Sequence, residues 1–369
     1  MVFDSAEDYT VRWYDPSDRD EFVSLYRETF GPGGGDDWFE WKYVDNPRTT
    51  HVPILVAEAD GTLAGARAQT PFLMRAGDDT ALAMRFGDTM VHPDHRRRGV
   101  FSRLVERALD HYRDMPVAFC YNVPNDLSRP GFLDAGGEIV ANLPSYYRVQ
   151  NPRALAANRD DAVVSLASRL GTPAARGYLA LRDRLASPPE NATVTRHSTV
   201  PVSALSTLYE RAPPRSVHAV RDPTFLEWRY QNPRWEYDAY TASVDGRLAA
   251  AVVTGTRTGA DGITVTNIVD VLPLTATTHR DTGLRTLFDA VVADNEGVDV
   301  LAYCGTDVPS DVLRSYGFHY DGRAPLDAVT TPTRLVSYDL TADGDWSLGG
   351  VDLTAAENWG LSYVELDDR

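Results

Sequence analysis

Residues 88–101 read Asp88-Thr89-Met90-Val91-His92-Pro93-Asp94-His95-Arg96-Arg97-Arg98-Gly99-Val100-Phe101. A strand-like run ends in three arginines and a glycine, and an amphipathic helical pattern starts at once. The first backbone N–H groups of a helix have no partner within it. With the helix dipole they favour an anion at that end. Gly99 lets the backbone come close to such an anion, and Arg96, Arg97 and Arg98 add positive charge. The pattern is that of a phosphate cradle distinct from Gly-x-Gly-x-x-Gly. Asp88, eight residues before Arg96 on the strand, is a candidate general base for chemistry on whatever the cradle anchors. The plainer alternative is a strand-end Asp facing solvent in an Asp-rich chain. Glu58 is a second candidate base, with a surface strand-end role the better reading. His92 and His95 have His-x-x-His spacing, but no third ligand type clusters nearby. They read as loop-surface residues, and no metal is expected.

The elements that must position these residues follow from the flanking pattern. A strand is expected at Thr10–Tyr14 and a helix at Asp20–Thr29, with Asp15–Asp18 supplying its N-terminal cap. Gly31–Gly35 lacks the Lys-Ser/Thr of a P-loop and reads as a mobile loop over an acceptor site. Ile54–Glu58 and Leu63–Gln69 form a hairpin around Asp60-Gly61. Further strands are expected at Pro71–Arg75 and Met84–Val91. Val100–Arg113 carries Phe101, Leu104, Val105, Ala108 and Leu109 on one helical face. An apolar strand, Val117–Tyr121, follows it.

The chain also repeats itself. Glu40-Trp41-Lys42-Tyr43 with Asn46-Pro47 matches Glu227-Trp228-Arg229-Tyr230 with Asn232-Pro233. Asp60-Gly61 matches Asp245-Gly246, Arg96-x-x-Gly99 matches Arg280-x-x-Gly283, Cys120 matches Cys304 and Pro124 matches Pro309. The order is kept and the offsets stay between 184 and 187 residues. Recurrence of Trp41 and Tyr43 as Trp228 and Tyr230 favours packing over catalysis for both, and Cys120 and Cys304 read as inert core thiols. Four segments are expected: 1–150, a helical connector 151–190, a second copy 191–338, and an acidic tail 339–369. Trp346 and Trp359 should pack the tail at least in part.

Composition narrows the function classes. The 369 residues hold 36 Lys+Arg and 53 Asp+Glu, a net charge of −17, and Lys42 is the single lysine. Such a chain is a poor nucleic-acid or anionic-membrane binder. No apolar run approaches the length of a transmembrane helix, and no signal peptide is apparent. Two cysteines make no disulfide framework. The cytoplasm is the expected compartment, and the Asp excess with almost no Lys resembles proteins of salt-in halophiles.

The motif from Arg96 to Phe101 resembles that of the GNAT acyltransferases. There, Gln or Arg is followed after two residues by Gly, and after one more by Gly or Ala, between the fourth strand and the next helix. Arg96 and Gly99 match, and Phe101 departs from the last small position. The family's second motif places Asn, then Tyr seven residues on, then Gly eleven residues on. Asn125 and Gly136 match, and Phe132 stands in the Tyr position. The resemblance spans each copy and implies a mixed α/β chain of two tandem GNAT folds, each a mostly antiparallel twisted sheet flanked by helices.

It further implies acetyl-CoA or another acyl-CoA as co-substrate. The cofactor would lie along Met90, Val91, Arg96, Arg97, Arg98, Gly99, Val100 and Phe101, with Asn125 near the pantetheine arm. The usual thiolate-protonating Tyr is missing, and Tyr146 or Tyr147 is a candidate acid. Copy two has Arg285 at the small position, Asp281 in the loop and no Asn at the second motif, so the cofactor is assigned to copy one. The expected activity moves an acetyl group to a primary amine of a small molecule or peptide, without nucleic-acid or membrane partners. The alternatives are a non-catalytic acyl-CoA-binding or interaction protein and an aminoacyl-tRNA-dependent transferase.

Overall fold

The computed structural model describes residues 9–152, 177–184, 191–324, 326–328, 330–341 and 344–366. In chain order the strands are β1 (Thr10–Trp13), β2 (Ile54–Ala59), β3 (Thr62–Ala76), β4 (Asp79–Val91), β5 (Val117–Asn122), β6 (Glu138–Leu143), β7 (Ser145–Val149) and β8 (Ala192–His197). They continue with β9 (His218–Ala219), β10 (Glu236–Val244), β11 (Arg247–Thr258), β12 (Thr264–Leu272), β13 (Val300–Cys304), β14 (His319–Tyr320) and β15 (Thr333–Asp339). The helices used below are α1 (Arg19–Phe30), α2 (Asp36–Phe39), α3 (Val100–Arg113) and α4 (Arg129–Asp134). After them come α5 (Val202–Arg211), α6 (Pro223–Arg229), α7 (Arg280–Asp294) and α8 (Ser310–Ser315).

The chain divides into two compact units. One comprises Met1–Asn142, Gln231–Pro233 and Arg334–Trp359, and the other Leu143–Tyr230, Arg234–Thr333 and Gly360–Arg369. The first unit's sheet has the order β1-β2-β3-β4-β5-β15-β6. Its hairpins are antiparallel, and β4 and β5 run parallel, joined across α3. Parallel neighbours need such a crossover. The expected β2–β3 hairpin turns at Asp60 and Gly61, both at positive φ (51° and 75°), as a two-residue turn of the mirror-image type requires. The two strands expected at 63–69 and 71–75 are one continuous strand, β3.

Leu104, Val105, Ala108 and Leu109 of α3 pack on Leu55, Ala57, Met84 and Phe86 to form this unit's core. β15 comes from far down the chain and pairs with β5, Val336 opposite Asn122 and Tyr338 opposite Cys120. Trp359 is buried against Phe119, with ring centroids 5.4 Å apart, so this part of the tail is packed.

The second unit's sheet has the order β14-β7-β13-β12-β11-β10-β8. β7 pairs with β13, Tyr147 opposite Ala302. The division therefore does not fall at 150 and 338 along the chain: β7 belongs with the second copy and β15 with the first. Most of the connector expected at 151–190 lies outside the described residues, of which 177–184 are helical.

Candidate active site

β4 pairs with β5 only from Leu82 to Arg85, while it stays paired with β3 as far as Val91. From Phe86 onward β4 has left β5, so one edge of the strand is free. The β3 register passes from Arg67–Thr89 to Ala68–Gly87 and leaves Asp88 as the extra residue of a bulge. Asp88 takes a positive φ of 41°, uncommon for any residue but glycine. Bulges re-aim a side chain and increase local twist. Here the bulge turns the Asp88 carboxylate to a specific pair of donors.

Lys42 Nζ and Tyr43 Oη both donate to Asp88 Oδ2, each at 2.5 Å. The chain's single lysine is 1% exposed, and its ammonium lies over the rings of Trp38 and Tyr43 at 5.0 and 5.4 Å. Lys42 and Tyr43 come from a π-helical turn, Glu40–Val44, that continues α2. Such turns recur at functional sites because they re-aim side chains out of helical register. Reading Tyr43 as packing alone missed this contact. The available signal was one lysine among 36 cations, set within an aromatic stretch. Both donors reach one oxygen of Asp88, and no described residue bonds Oδ1. Glu58 is held by Arg12, Nη2 to Oε2 at 2.9 Å, consistent with a surface ion pair.

Below the bulge the chain enters the arginine loop. Arg97 and Gly99 have positive φ, 63° and 80°, and Arg96 to Gly99 are exposed while Val100 is buried. Arg96 Nε donates to the Val91 carbonyl at 3.2 Å, tying the loop to the strand end. α3 begins with no side-chain cap and no acidic residue in its first turn. Its first N–H groups thus face an exposed, arginine-rich loop, as an anion site needs. Phe101 lies edge-on to Phe132, with centroids 5.0 Å apart. It fits because the α4 residue it covers is Gly131, where a Cβ would stand 2.6 Å from the Phe101 ring.

Asn125 Oδ1 accepts from the backbone N–H of Leu127 and Ser128 at 3.1 and 2.9 Å. Its oxygen is therefore used in the turn into α4, while its exposed amide N–H₂ is free of described bonds. Gly136, at φ 90°, ends α4. Asn122, at the end of β5, is buried with Oδ1 unpartnered. His92 and His95 sit edge to face in the loop, with centroids 5.8 Å apart. Arg27 Nε holds the expected mobile loop, donating to the Gly34 carbonyl at 2.7 Å.

Tyr146 and Tyr147 lie on β7 in the second unit's sheet. Burial raises the Tyr146 hydroxyl pKa above its ordinary value. Asp270 is the second unit's counterpart of Asp88, for Tyr230 Oη donates to its Oδ2 at 3.3 Å. Asp270 is only 1% exposed and is also held by Arg221, Nε to Oδ2 at 3.3 Å. Arg221 in turn bonds Glu365 of the C-terminal segment, both fully buried. Asp88 keeps 14% of its side chain exposed; Asp270 is sealed.

The same segment places Ser362 Oγ 3.3 Å from the Val269 carbonyl of β12. The Leu361 carbonyl would stand 3.1 Å from a Cβ at Gly305, just past β13. The sequence match of Arg96-x-x-Gly99 with Arg280-x-x-Gly283 is out of structural register. α7 starts at Arg280, and His279 occupies the left-handed position that Gly99 takes before α3. Arg280 is turned inward to the carbonyls of Pro273 and Asp307 at 2.6 and 2.7 Å. Gly283 lies within the helix, where a Cβ would meet that of Ala250 at 3.0 Å.

Residues 10–137 match the model of the family described as an acetyltransferase (GNAT) domain. No curated protein sequence matches the chain. Among solved structures, the fold is similar to a GCN5-related N-acetyltransferase from Anabaena variabilis, at 9% identity and a TM-score of 0.62, covering 90% of this chain and 73% of that one. It is similar to a protein from Enterococcus faecalis described as a probable N-acyltransferase, at 13% identity and a TM-score of 0.62, covering 90% and 72%. It is also similar to a tandem GNAT protein from the clavulanic acid biosynthesis pathway, at 13% identity and a TM-score of 0.53, covering 90% and 99%. At these identities the likeness is one of fold. Residues 10–137 thus match an acetyltransferase (GNAT) domain, the fold is similar to that of a tandem GNAT protein, and N-acyltransferase is the enzyme class that both support.

Proposed function

We propose that the first unit transfers an acetyl group from acetyl-CoA to a primary amine. The observation that carries this reading is the free edge of β4 beyond Arg85, bounded by the bulged Asp88 on one side and the Arg96–Gly99 loop on the other. The open N–H groups of α3 and the three exposed arginines suit a pyrophosphate. Along the freed edge of β4, the backbone N–H of Val91 would polarise the carbonyl. The amide of Asn125 is available to an extended arm. Asp88, fixed through Oδ2 by Lys42 and Tyr43, offers Oδ1 to the incoming amine and accepts its proton, directly or through water. The amine nitrogen bonds to the acyl carbon, the carbon–sulfur bond breaks, and sulfur leaves with the electron pair.

The second unit is read as a structural partner. Its counterpart carboxylate is sealed by Arg221, and its loop arginine is spent on internal carbonyls. Isothermal calorimetry with acetyl-CoA, followed by detection of free thiol with a panel of amines, tests the reading. Binding and amine-dependent thiol release support it. Binding without release would favour a non-catalytic acyl-CoA-binding protein. Retention of aminoacyl-tRNA without acetyl-CoA binding would favour an aminoacyl-tRNA-dependent transferase.

A further inference from the structure

Arg67, in the middle of β3, is fully buried. Its guanidinium lies 3.8 Å above the Phe86 ring and 5.3 Å from that of Phe132. Nη1 donates to Thr89 Oγ1 at 3.0 Å, while Nε and Nη2 are buried with no partner. No carboxylate among the described residues pairs with it. The titratable groups facing it are Tyr338 from β15, Cys120 from β5 and Tyr112 from α3. Burial pushes all three up, so each stays neutral, and burial lowers Arg67 itself to about 10. The interior of the first unit thus holds a positive charge without a counter-charge, an arrangement that is costly.

The charge lies against the part of β4 that has left β5, for both Phe86 and Thr89 belong to that freed stretch. A buried donor pair without an acceptor at a free strand edge points to an anion that is present only at some stage of function. Resting on the reading above, acyl transfer from a thioester releases one anion at this place, the thiolate.

We propose that Arg67 stabilises the departing CoA thiolate. Nε and Nη2 supply the hydrogen bonds, the guanidinium keeps its proton throughout, and the electron pair of the broken carbon–sulfur bond stays on sulfur until solvent protonates it. The role is electrostatic, so it needs no acid at position 132, where Phe stands.

The test reads ionisation of the bound thiol, not turnover. Free CoA is titrated into the wild-type chain, Arg67→Lys and Arg67→Met, and thiolate ultraviolet absorbance is followed against pH. An ordinary thiol ionises near pH ~8.5. On the wild-type protein, and to a lesser degree on Arg67→Lys, the bound thiol should ionise at least about tenfold more readily than free CoA. On Arg67→Met it should ionise no more readily than free CoA. Equal ionisation on wild type and Arg67→Met, with CoA bound to both, would overturn the proposal and leave the proposed function intact. Failure of CoA to bind the wild-type chain would overturn both.

Comparing CoA with desulfo-CoA on the wild type needs no variant. The preference for CoA should grow as pH rises, and a pH-independent ratio refutes the role. A loss of preference for acyl groups bearing a carboxylate in Arg67→Met, without any change in thiol ionisation, would reassign Arg67 to the acyl chain and also refute it.

Discussion

Replacing Lys42 by Met keeps the volume of the side chain and removes its charge. Lys42 is 1% exposed and Asp88 14%, so the variant leaves a largely buried carboxylate with Tyr43 as its remaining donor. Removing one partner of a buried pair costs about 3–5 kcal/mol. The residual exposure of Asp88 and the Tyr43 bond bring the expectation to about 2–4 kcal/mol. At about 2–4 °C per kcal/mol for a unit of this size, the melting temperature should fall by about 4–16 °C. Asp88→Ala should cost at least as much, because the ammonium is the more deeply buried partner. Urea unfolding of wild type, Lys42→Met, Asp88→Ala and the double variant measures the coupling, expected at about 1–3 kcal/mol. A loss below about 0.5 kcal/mol for Lys42→Met, with additive single effects, would refute the claim that this pair holds the bulge and its carboxylate.

Three further outcomes follow from the same geometry. A Cβ at Gly99 meets nothing within 4 Å, so Gly99→Ala should cost only about 1 kcal/mol of backbone strain and keep acetyl-CoA affinity. Gly99→Glu should weaken binding at least about tenfold in calorimetry, by placing an anion on the helix start. Glu365→Gln neutralises one of the two buried carboxylates that hold Arg221 and should cost about 3 kcal/mol in urea unfolding, yet leave acetyl-CoA affinity unchanged. Burial pushes the Asp307 carboxyl up to about 7. A raised folded-state value means the neutral form is favoured, so this group's penalty is absent below pH ~4, grows as pH rises and is complete above about 7. Asp307→Asn should therefore raise the melting temperature at pH 8 and leave it nearly unchanged at pH 4, and an equal effect at both pH values would contradict that origin.

The elements that were legible in sequence are those set by local physics. α3 runs from Val100 to Arg113 as its apolar stripe predicts, with Gly99 in the left-handed position before it. The two Asp-Gly hairpin turns fall where that dipeptide places them, Asp245 and Gly246 repeating the positive φ of Asp60 and Gly61. Strand partners were less legible. Nothing local in 145–149 or 333–339 states that each completes the other copy's sheet.

The Asp88–Lys42 pair joins residues 46 apart through a π-helical turn, which side-chain spacing in an ordinary helix does not predict. Tyr43 was read by its recurrence, and recurrence does not separate packing from a shared hydrogen bond, since Tyr230 makes the same contact to Asp270. The Arg280–Gly283 match was similarity of letters only, because helix start and glycine are displaced relative to Arg96–Gly99. Arg67 carried no signal, being one of 35 arginines, and only its burial without a carboxylate sets it apart.

Hydrogen–deuterium exchange with and without acetyl-CoA tests most directly that the first unit's loop and freed strand hold the acyl donor. Protection should appear at Asp88–Val91 and Arg96–Arg103 and extend to the turn at Asn125–Ser128. The corresponding stretch of the second unit, residues 273–284, should be unchanged. Protection confined to 273–284, or no change at Arg96–Arg103 under saturating acetyl-CoA, would contradict the account.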